Sequence, residues 1–279
     1  MKLAMNMLLW GTDVCGDEYD ATFRMLKDAG FDGVEIPIFD REVEKYGRLG
    51  ERLDAIGLER LGVTARFEDE NPISADPAVR ANGLAGMKAN IDACAALGAT
   101  LLLGPLQAAL GVFSGKQPTS EDRERSATWL REAAEYAETK GVILVIEFLN
   151  RFETYLVTSA GEASALVRAV DHPNCRMMYD TFHAHIEEKD TRAAITECAD
   201  VLVHVHVSEN DRSTPGAGQV DWDTTFAALD EIGYDGWVAI EAFGGSLPDL
   251  AAATKIWRSM FESEEQLARD GARFIRSRL

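Results

Sequence analysis

Short apolar runs rich in β-branched residues alternate along the chain with longer stretches in which apolar side chains recur every three or four positions. The short runs predict strands and the longer stretches predict amphipathic helices. Because parallel strands need helical crossovers, a strand–helix order repeated eight times predicts a single (β/α)8 TIM barrel spanning residues 1–279. The predicted strands are residues 3–10, 33–38, 58–66, 100–106, 142–148, 176–180, 201–207 and 237–241.

The clearest helical pattern covers residues 120–140, with Ser120 as the predicted N-cap and Gly141 directly after the end. The main rival fold is an open doubly wound sheet, but the first predicted turn, LLWGTDVCG, lacks a GxGxxG phosphate-binding pattern. No linker or low-complexity tract divides the chain. Further helices are predicted at residues 20–29, 76–97, 159–170 and 222–232, with an extra C-terminal helix at 262–279.

Composition narrows the class of partner. The chain has 28 Lys and Arg against 47 Asp and Glu, a formal charge of −19, which opposes a nucleic-acid surface and gives no attraction to anionic membranes. No run approaches the roughly 18 apolar residues of a membrane span, and the start MKLAMNMLLWGTD predicts a strand rather than a signal peptide. The four cysteines form no CxxC pair, which predicts reduced thiols in a cytoplasmic protein.

An acidic residue ends the most apolar predicted strand. Glu147 closes the run ILVIE, where an unpaired charge is costly to bury. In a barrel the carboxyl ends of all strands meet at one face, and Asp180, His206 and Glu241 fall there at intervals of 33, 26 and 35 residues. Three carboxylates and one imidazole predict a divalent cation, Mn²⁺ or Mg²⁺, with Co²⁺ or Zn²⁺ as alternatives.

The sequence does not decide the roles of three further residues near the predicted metal site. His204 lies two residues before His206 on the same face, so either histidine fits the ligand position. Glu35, near the end of the second predicted strand, fits a fifth acid at the mouth or a structural ion pair equally well. No role follows from the sequence for His185.

Four segments, in order, carry a family resemblance: EFLNRFET, DTFHAHIEE, HVHVSENDR with PGAG after it, and IGYDGWVAIEAF. They resemble the ketose 3-epimerases, typified by the D-tagatose and D-psicose (allulose) 3-epimerases, a branch of the xylose-isomerase-like barrels. The resemblance extends over about residues 140–245. It implies an isomerase that uses one divalent metal, Mn²⁺ before Co²⁺ or Mg²⁺, and assembles as a homo-oligomer, a dimer or tetramer.

The resemblance also implies roles for individual residues. Without it, Glu153 and Arg212 fit a surface ion pair, and His183 fits a helix N-terminal cap. The family commonly has Asn at His185 and Gly at Ser208, and residues 104–111 do not match its best-known members, which leaves the sugar open. By resemblance, Glu147, Asp180, His206 and Glu241 bind the metal, Glu147 and Glu241 are the catalytic acid/bases, Glu153, His183 and Arg212 bind the O1–O3 end of the substrate, and Phe243 packs against its far end.

The expected reaction is inversion of carbon 3 of a free ketose, of the D-psicose, D-tagatose or L-ribulose type, through an enediolate. An aldose–ketose isomerase of the hydroxypyruvate-isomerase kind would instead move hydrogen between C1 and C2. A keto-hexonate epimerase would need an added cation, for which Arg66 is a candidate. Of other classes, an abasic-site endonuclease would need more metal ligands, and a non-catalytic sugar-binding barrel would not need two acids around a metal.

Overall fold

A computed structural model describes residues 1–279. Its eight strands form one closed barrel in chain order, and every neighbouring pair is parallel. The TIM barrel predicted from the alternation of strands and helices is therefore confirmed. The strands are β1 (Lys2–Asn6), β2 (Gly33–Pro37), β3 (Glu59–Val63), β4 (Leu101–Gly104), β5 (Ile143–Glu147), β6 (Cys175–Asp180), β7 (Leu202–His206) and β8 (Trp237–Ile240).

Ten α-helices accompany the barrel, and none is both long and apolar enough to cross a membrane. The extra C-terminal helix is present but shorter than predicted. The helices are α1 (Asp20–Asp28), α2 (Val43–Ile56), α3 (Pro77–Leu97), α4 (Ser120–Thr139), α5 (Ala160–Val170), α6 (Thr181–Glu187), α7 (Thr191–Glu197), α8 (Trp222–Glu231), α9 (Pro248–Thr254) and α10 (Glu264–Arg276).

Local capping explains where two elements depart from prediction. The first strand stops at Asn6 because the Asn6 side chain accepts a hydrogen bond from the Leu8 amide and starts a 3-10 turn. The N-cap of α4 is Thr119 rather than Ser120, because Thr119 and Asp122 cap each other reciprocally.

Helix α2 was not predicted because glycines interrupt its pattern of apolar positions. One of them, Gly50, allows close packing on α3, since an added Cβ would lie 2.6 Å from the Leu97 carbonyl oxygen.

Strand alternation divides the core into two parts. Outward-facing strand residues join the helices in a cluster of 63 buried residues. Inward-facing residues form a smaller apolar cluster that fills the barrel interior, and polar side chains lie at the carboxyl ends of the strands. This inner cluster contains Ala4, Leu61, Leu101, Leu103, Val145, Met178 and Ala239.

Candidate active site

Four strand-end residues converge on one centre. Glu147, Asp180 and His206 are the last residues of β5, β6 and β7, and Glu241 directly follows β8. All four are buried, and their ligating atoms lie within 4.8 Å of one another. His206 Nδ1 lies 3.5 Å from Asp180 Oδ2, 3.5 Å from Glu241 Oε1 and 3.7 Å from Glu147 Oε1. We call these four residues the acidic cluster.

The acidic cluster fits a divalent metal ion. Glu147 Oε1, Asp180 Oδ2 and His206 Nδ1 are buried, point at one another and have no hydrogen-bond partner. Burying a neutral polar atom without a hydrogen-bond partner costs about 1–3 kcal/mol of stability, and burying a charged one costs more. Ionised carboxylates and an imidazole lone pair offer only acceptors, so a cation satisfies all of them at once. Glu147, Asp180, His206 and Glu241 would hold that ion.

Neighbouring groups orient two carboxylates of the acidic cluster. Asp180 caps α6, with Oδ1 accepting from the amides of Phe182 at 2.6 Å and His183 at 3.3 Å, which leaves Oδ2 facing the cluster. Glu241 Oε1 accepts from Asn6 Nδ2 at 3.3 Å, and its Oε2 accepts from the Arg212 guanidinium. A second layer of protein groups therefore orients these two carboxylates, an arrangement that is common around metal ions.

The pKa values of the two glutamates are raised, whereas that of the aspartate is lowered. Burial raises the pKa of Glu147, and the neighbouring charge of Glu241 raises it further. Burial also raises the pKa of Glu241, and His206 and Arg212 offset this only in part. For Asp180, burial would raise the pKa, but His183, His206 and Arg212 outweigh it and lower the value. The two glutamates are thus the carboxylates suited to accept and return a proton.

Arg212 is buried beside the acidic cluster rather than at the surface. Its Cζ lies 3.7 Å from the centre of the Phe182 ring and 5.1 Å from that of Phe243. Besides Glu241, the guanidinium lies 3.7 Å from Asp180 Oδ2, and 3.8 Å from Glu153 Oε1. Burial would lower the pKa of Arg212, but Glu241 and Asp180 outweigh it and raise the value, so a permanent positive charge faces the site.

His183 presents a neutral donor to the same space. Its Nδ1 accepts a hydrogen bond from the Asn150 backbone amide at 2.9 Å, so in the neutral ring the proton sits on Nε2. Nε2 lies 3.7 Å from Glu147 Oε1 and 3.2 Å from the Arg212 guanidinium. Burial lowers the pKa of His183 to about 4. The helix cap is Asp180, not His183.

Glu153 and Phe243 border the site. Glu153 is partly exposed, and its Oε1 accepts from Asn150 Nδ2 at 2.8 Å. Phe243 packs in a small apolar cluster with Leu8, Val63, Ala251 and Ile256. This cluster lies at the mouth because Val63 ends β3 and the other members follow β1 or β8. The Phe243 amide donates to the Arg212 carbonyl oxygen at 3.0 Å. The predicted substrate-binding residues therefore surround one space.

Glu35 and His204, whose roles the sequence does not decide, lie next to the acidic cluster and deeper in the barrel. Glu35 Oε2 lies 3.0 Å from His206 Nε2, and Glu35 Oε1 lies 2.7 Å from His204 Nε2 at an angle that is poor for a hydrogen bond. Burial would raise the pKa of Glu35, but His206 and His204 outweigh it and lower the value to about 2. Glu35 thus has a structural role as the hydrogen-bond partner of His206 Nε2, and His206 rather than His204 belongs to the acidic cluster.

Two other candidates lie apart from the cluster. Arg66 is buried, but its guanidinium is engaged by Glu70 at 2.8 Å and by Asn90 on α3 at 3.2 Å. These partners place it between the barrel and α3, where it offers no charge to the site. His185 is exposed on α6.

Three polar residues that shape the site do not follow from the sequence pattern. Asn6 holds Glu241, and Asn150 holds both Glu153 and His183. The third is Glu209, a buried carboxylate in the loop after β7. The polar end of β1 is the only sequence signal for Asn6. Asn150 lies in the segment EFLNRFET and Glu209 in HVHVSENDR, but the spacing of these segments does not reveal the contacts of either residue. Glu209 accepts from the amides of Asn210, Gly216, Gln219 and Val220 and from the Trp222 indole.

Residues 23–278 match the family model described as xylose isomerase-like TIM barrel. Among curated proteins, a ketose 3-epimerase of Arthrobacter globiformis is 31% identical over 281 residues, covering 100% of this chain and 97% of that protein. An L-ribulose 3-epimerase of Mesorhizobium japonicum is 30% identical, covering 98% of this chain and 93% of that protein. These matches extend well beyond the motif-bearing half of the sequence.

A solved structure has closely similar architecture. The D-allulose 3-epimerase of Methylomonas sp. in complex with D-allulose superposes with a TM-score of 0.94 at 28% sequence identity. The alignment covers 100% of this chain and 97% of that one. Its barrel and chain length therefore correspond to this one throughout.

Proposed function

The chain belongs to the xylose isomerase-like TIM barrels and, within them, to the ketose 3-epimerases, and we propose that it inverts carbon 3 of a free ketose. Membership makes it an isomerase. The observation that carries the reaction type is the pair of buried glutamates, Glu147 and Glu241, both with raised pKa, within one group of atoms that fits a metal ion. Two bases and one Lewis acid are what inversion next to a ketone needs.

The proposed mechanism assigns a proton transfer to each glutamate. One carboxylate removes the proton from C3 on one side of the sugar, and the other delivers a proton to the opposite side. Negative charge develops on the substrate oxygens in between, and the metal supplies Lewis-acid stabilisation of that charge when bound. Since a raised pKa makes a carboxylate a stronger base, Glu147 and Glu241 suit this work better than Asp180.

The remaining residues bind and orient the sugar. We assign the O1–O3 end to Arg212, His183 and Glu153, because Arg212 and His183 face the acidic cluster as donors and Glu153 lies beside Arg212 as an acceptor. His183 donates from Nε2, since Asn150 occupies its Nδ1. Phe243 and its apolar neighbours border the far end of the sugar. Donors fixed in a water-poor site stabilise developing charge more than they would in water.

We propose an unphosphorylated, uncharged ketose of five or six carbons. Arg66 was the cation available for a keto-hexonate, and Glu70 and Asn90 already engage it. The only arginine facing the acidic cluster, Arg212, is paired with Glu241 and stacked on Phe182. An apolar mouth around Phe243 likewise offers nothing to a terminal carboxylate or phosphate.

Further properties of the protein follow as proposals. The oxygen-rich ligand set favours Mn²⁺, with Co²⁺ or Mg²⁺ as alternatives. Residues 1–279 form one domain, since the barrel uses strands from both ends of the chain. The four free cysteines suit the cytoplasm, and family membership supports a dimer or tetramer.

Product analysis tests the proposed reaction. Mn²⁺-loaded protein is incubated separately with D-psicose, D-tagatose, L-ribulose and a keto-hexonate, and the products are identified by chromatography and NMR. We expect the C3 epimer of at least one neutral ketose. Formation of aldoses, or turnover of the keto-hexonate alone, would contradict the proposal.

A further inference from the structure

A carboxylate and an imidazole occupy the level of the barrel interior directly beneath the acidic cluster. Glu35 on β2 and His204 on β7 are both fully buried. The apolar cluster that fills the barrel contains strand neighbours of both, Leu61 beside Glu35 and Met178 beside His204. Apolar residues at such positions are often as stabilising as a buried ion pair or more so. Stability alone therefore gives little reason for a carboxylate here.

The contact between Glu35 and His206 determines which ring nitrogen carries the proton. Glu35 Oε2 lies 3.0 Å and Oε1 3.3 Å from His206 Nε2. An ionised carboxylate only accepts hydrogen bonds, so Nε2 must be the protonated nitrogen. In the neutral ring Nδ1 then carries a lone pair, and Nδ1 is the unpartnered atom that faces the acidic cluster.

His204 packs against Glu35 from the other side. Its Nε2 lies 2.7 Å from Glu35 Oε1, and the two imidazole rings lie 5.2 Å apart at 80°. The strand register explains this arrangement, because His206 pairs with Asp180 whereas His204 pairs with Met178, one level further from the mouth. Glu35 therefore lies between two imidazole rings, with its hydrogen bond to His206.

We propose that Glu35 is the positioning residue of the metal centre: it fixes the Nε2–H tautomer and the orientation of His206, and His204 anchors it. The inference rests on the proposed metal site but not on the identity of the sugar. Carboxylates that hold a ligating histidine in this way typically change metal affinity about 10–100-fold when removed. Without Glu35, His206 is free to turn its N–H toward Asp180, which competes with metal binding.

Metal affinity of a matched pair of variants tests the proposal. Metal-stripped protein is titrated with Mn²⁺ against a fluorescent chelator, which gives Kd and stoichiometry without any sugar. We expect one ion per wild-type chain and a Kd about 10–100-fold weaker for Glu35→Gln. Glu70→Gln is the control, because it also removes a buried carboxylate that contacts two basic side chains, here Arg41 and Arg66, but it touches no cluster residue. Its Kd should equal that of the wild type.

Other outcomes separate this proposal from the proposed reaction. If Glu35→Gln does not fold, His204→Gln provides the second test and should weaken Mn²⁺ binding in the same direction by a smaller factor. Wild-type affinity in the folded variant tested, or two ions per wild-type chain, would overturn the positioning role. A Kd effect without epimerisation of any ketose would support the role of Glu35 and count against the proposed reaction. Wild-type protein that binds no Mn²⁺ would overturn both.

Discussion

Arg212 combines features that rarely occur together in one residue. It is buried, stacked on Phe182, and held at φ 63°, a left-handed conformation that costs a non-glycine residue roughly 1–2 kcal/mol. Two backbone hydrogen bonds, from its amide to the Glu209 carbonyl and from the Phe243 amide to its own carbonyl, hold it there. Strain of this kind is concentrated at functional sites. The conformation directs a fixed cation at Glu241.

Replacing Arg212 tests its role in binding. In Arg212→Ala with saturating metal, we expect kcat/KM for the ketose to fall about 100-fold, because a charged hydrogen-bond donor is lost from a buried site. Metal content, measured by elemental analysis, should stay at the wild-type level. Arg192→Ala removes an exposed arginine paired with Glu231 and serves as the control. Unchanged kcat/KM in Arg212→Ala would refute the binding role.

At the scale of elements, the loop between β7 and α8 is organised around Glu209. Five N–H groups, four from the backbone and one from Trp222, donate to this buried carboxylate. Burial would raise the pKa of Glu209, but the amides of Val220, Asn210 and Gly216 outweigh it and lower the value. Because the loop includes Arg212, Glu209 links loop folding to the geometry of the site.

Glu209→Gln is expected to loosen this loop. The amide keeps one acceptor oxygen and puts a donor where donors already point, so we expect a loss of about 3 kcal/mol in urea unfolding at pH 7, with lower kcat/KM. Since the folded pKa is depressed, wild-type Glu209 contributes stability above its unfolded pKa of about 4.3, and this is lost as pH falls through the folded value. The free energy of unfolding of Glu209→Gln should not show this decrease at low pH. Exposed Glu231→Gln is the control, and equal stability of Glu209→Gln and wild type would refute the prediction.

The positions of some site residues can be predicted from the sequence, whereas others depend on contacts that form only in the folded chain. Glu147, Asp180, His206 and Glu241 could be predicted to meet because one β/α unit separates each from the next. The choice between His204 and His206 needed the register of β6 against β7, which depends on three-dimensional pairing. The hydrogen bond from the Asn150 amide to His183 joins the loop after β5 to helix α6, 33 residues away, and no local pattern encodes it.

At the scale of the whole molecule, closing the barrel supplies the site with residues from both ends of the chain. Asn6 at the end of β1 and Glu241 after β8 are 235 residues apart in the sequence, and they meet because β1 pairs with β8. The acidic cluster brings several carboxylates into one buried volume, so bound metal should stabilise the entire fold. Ligand that binds only the folded state at 100 times its Kd adds about 2.7 kcal/mol.

Removing the metal should affect both activity and stability. Chelation is expected to abolish epimerisation, and Mn²⁺ or Co²⁺ should restore it. In differential scanning calorimetry, saturating Mn²⁺ should raise Tm by roughly 5–10 °C for a chain of this size. Asp180→Asn, which weakens the ligand set, should show a much smaller rise. Full activity in protein shown to be metal-free would disprove a metal-dependent site.

The fate of the hydrogen at carbon 3 tests the two-glutamate mechanism most directly. Mn²⁺-loaded protein converts a ketose in D₂O to low conversion, and both sugars are analysed by NMR. Because one glutamate removes protium and the other delivers deuterium, we expect the inverted product to carry deuterium at C3 while the recovered substrate keeps protium there. Product that keeps protium at C3, or deuterium found at C1 or C2 instead, would contradict inversion of carbon 3 by Glu147 and Glu241.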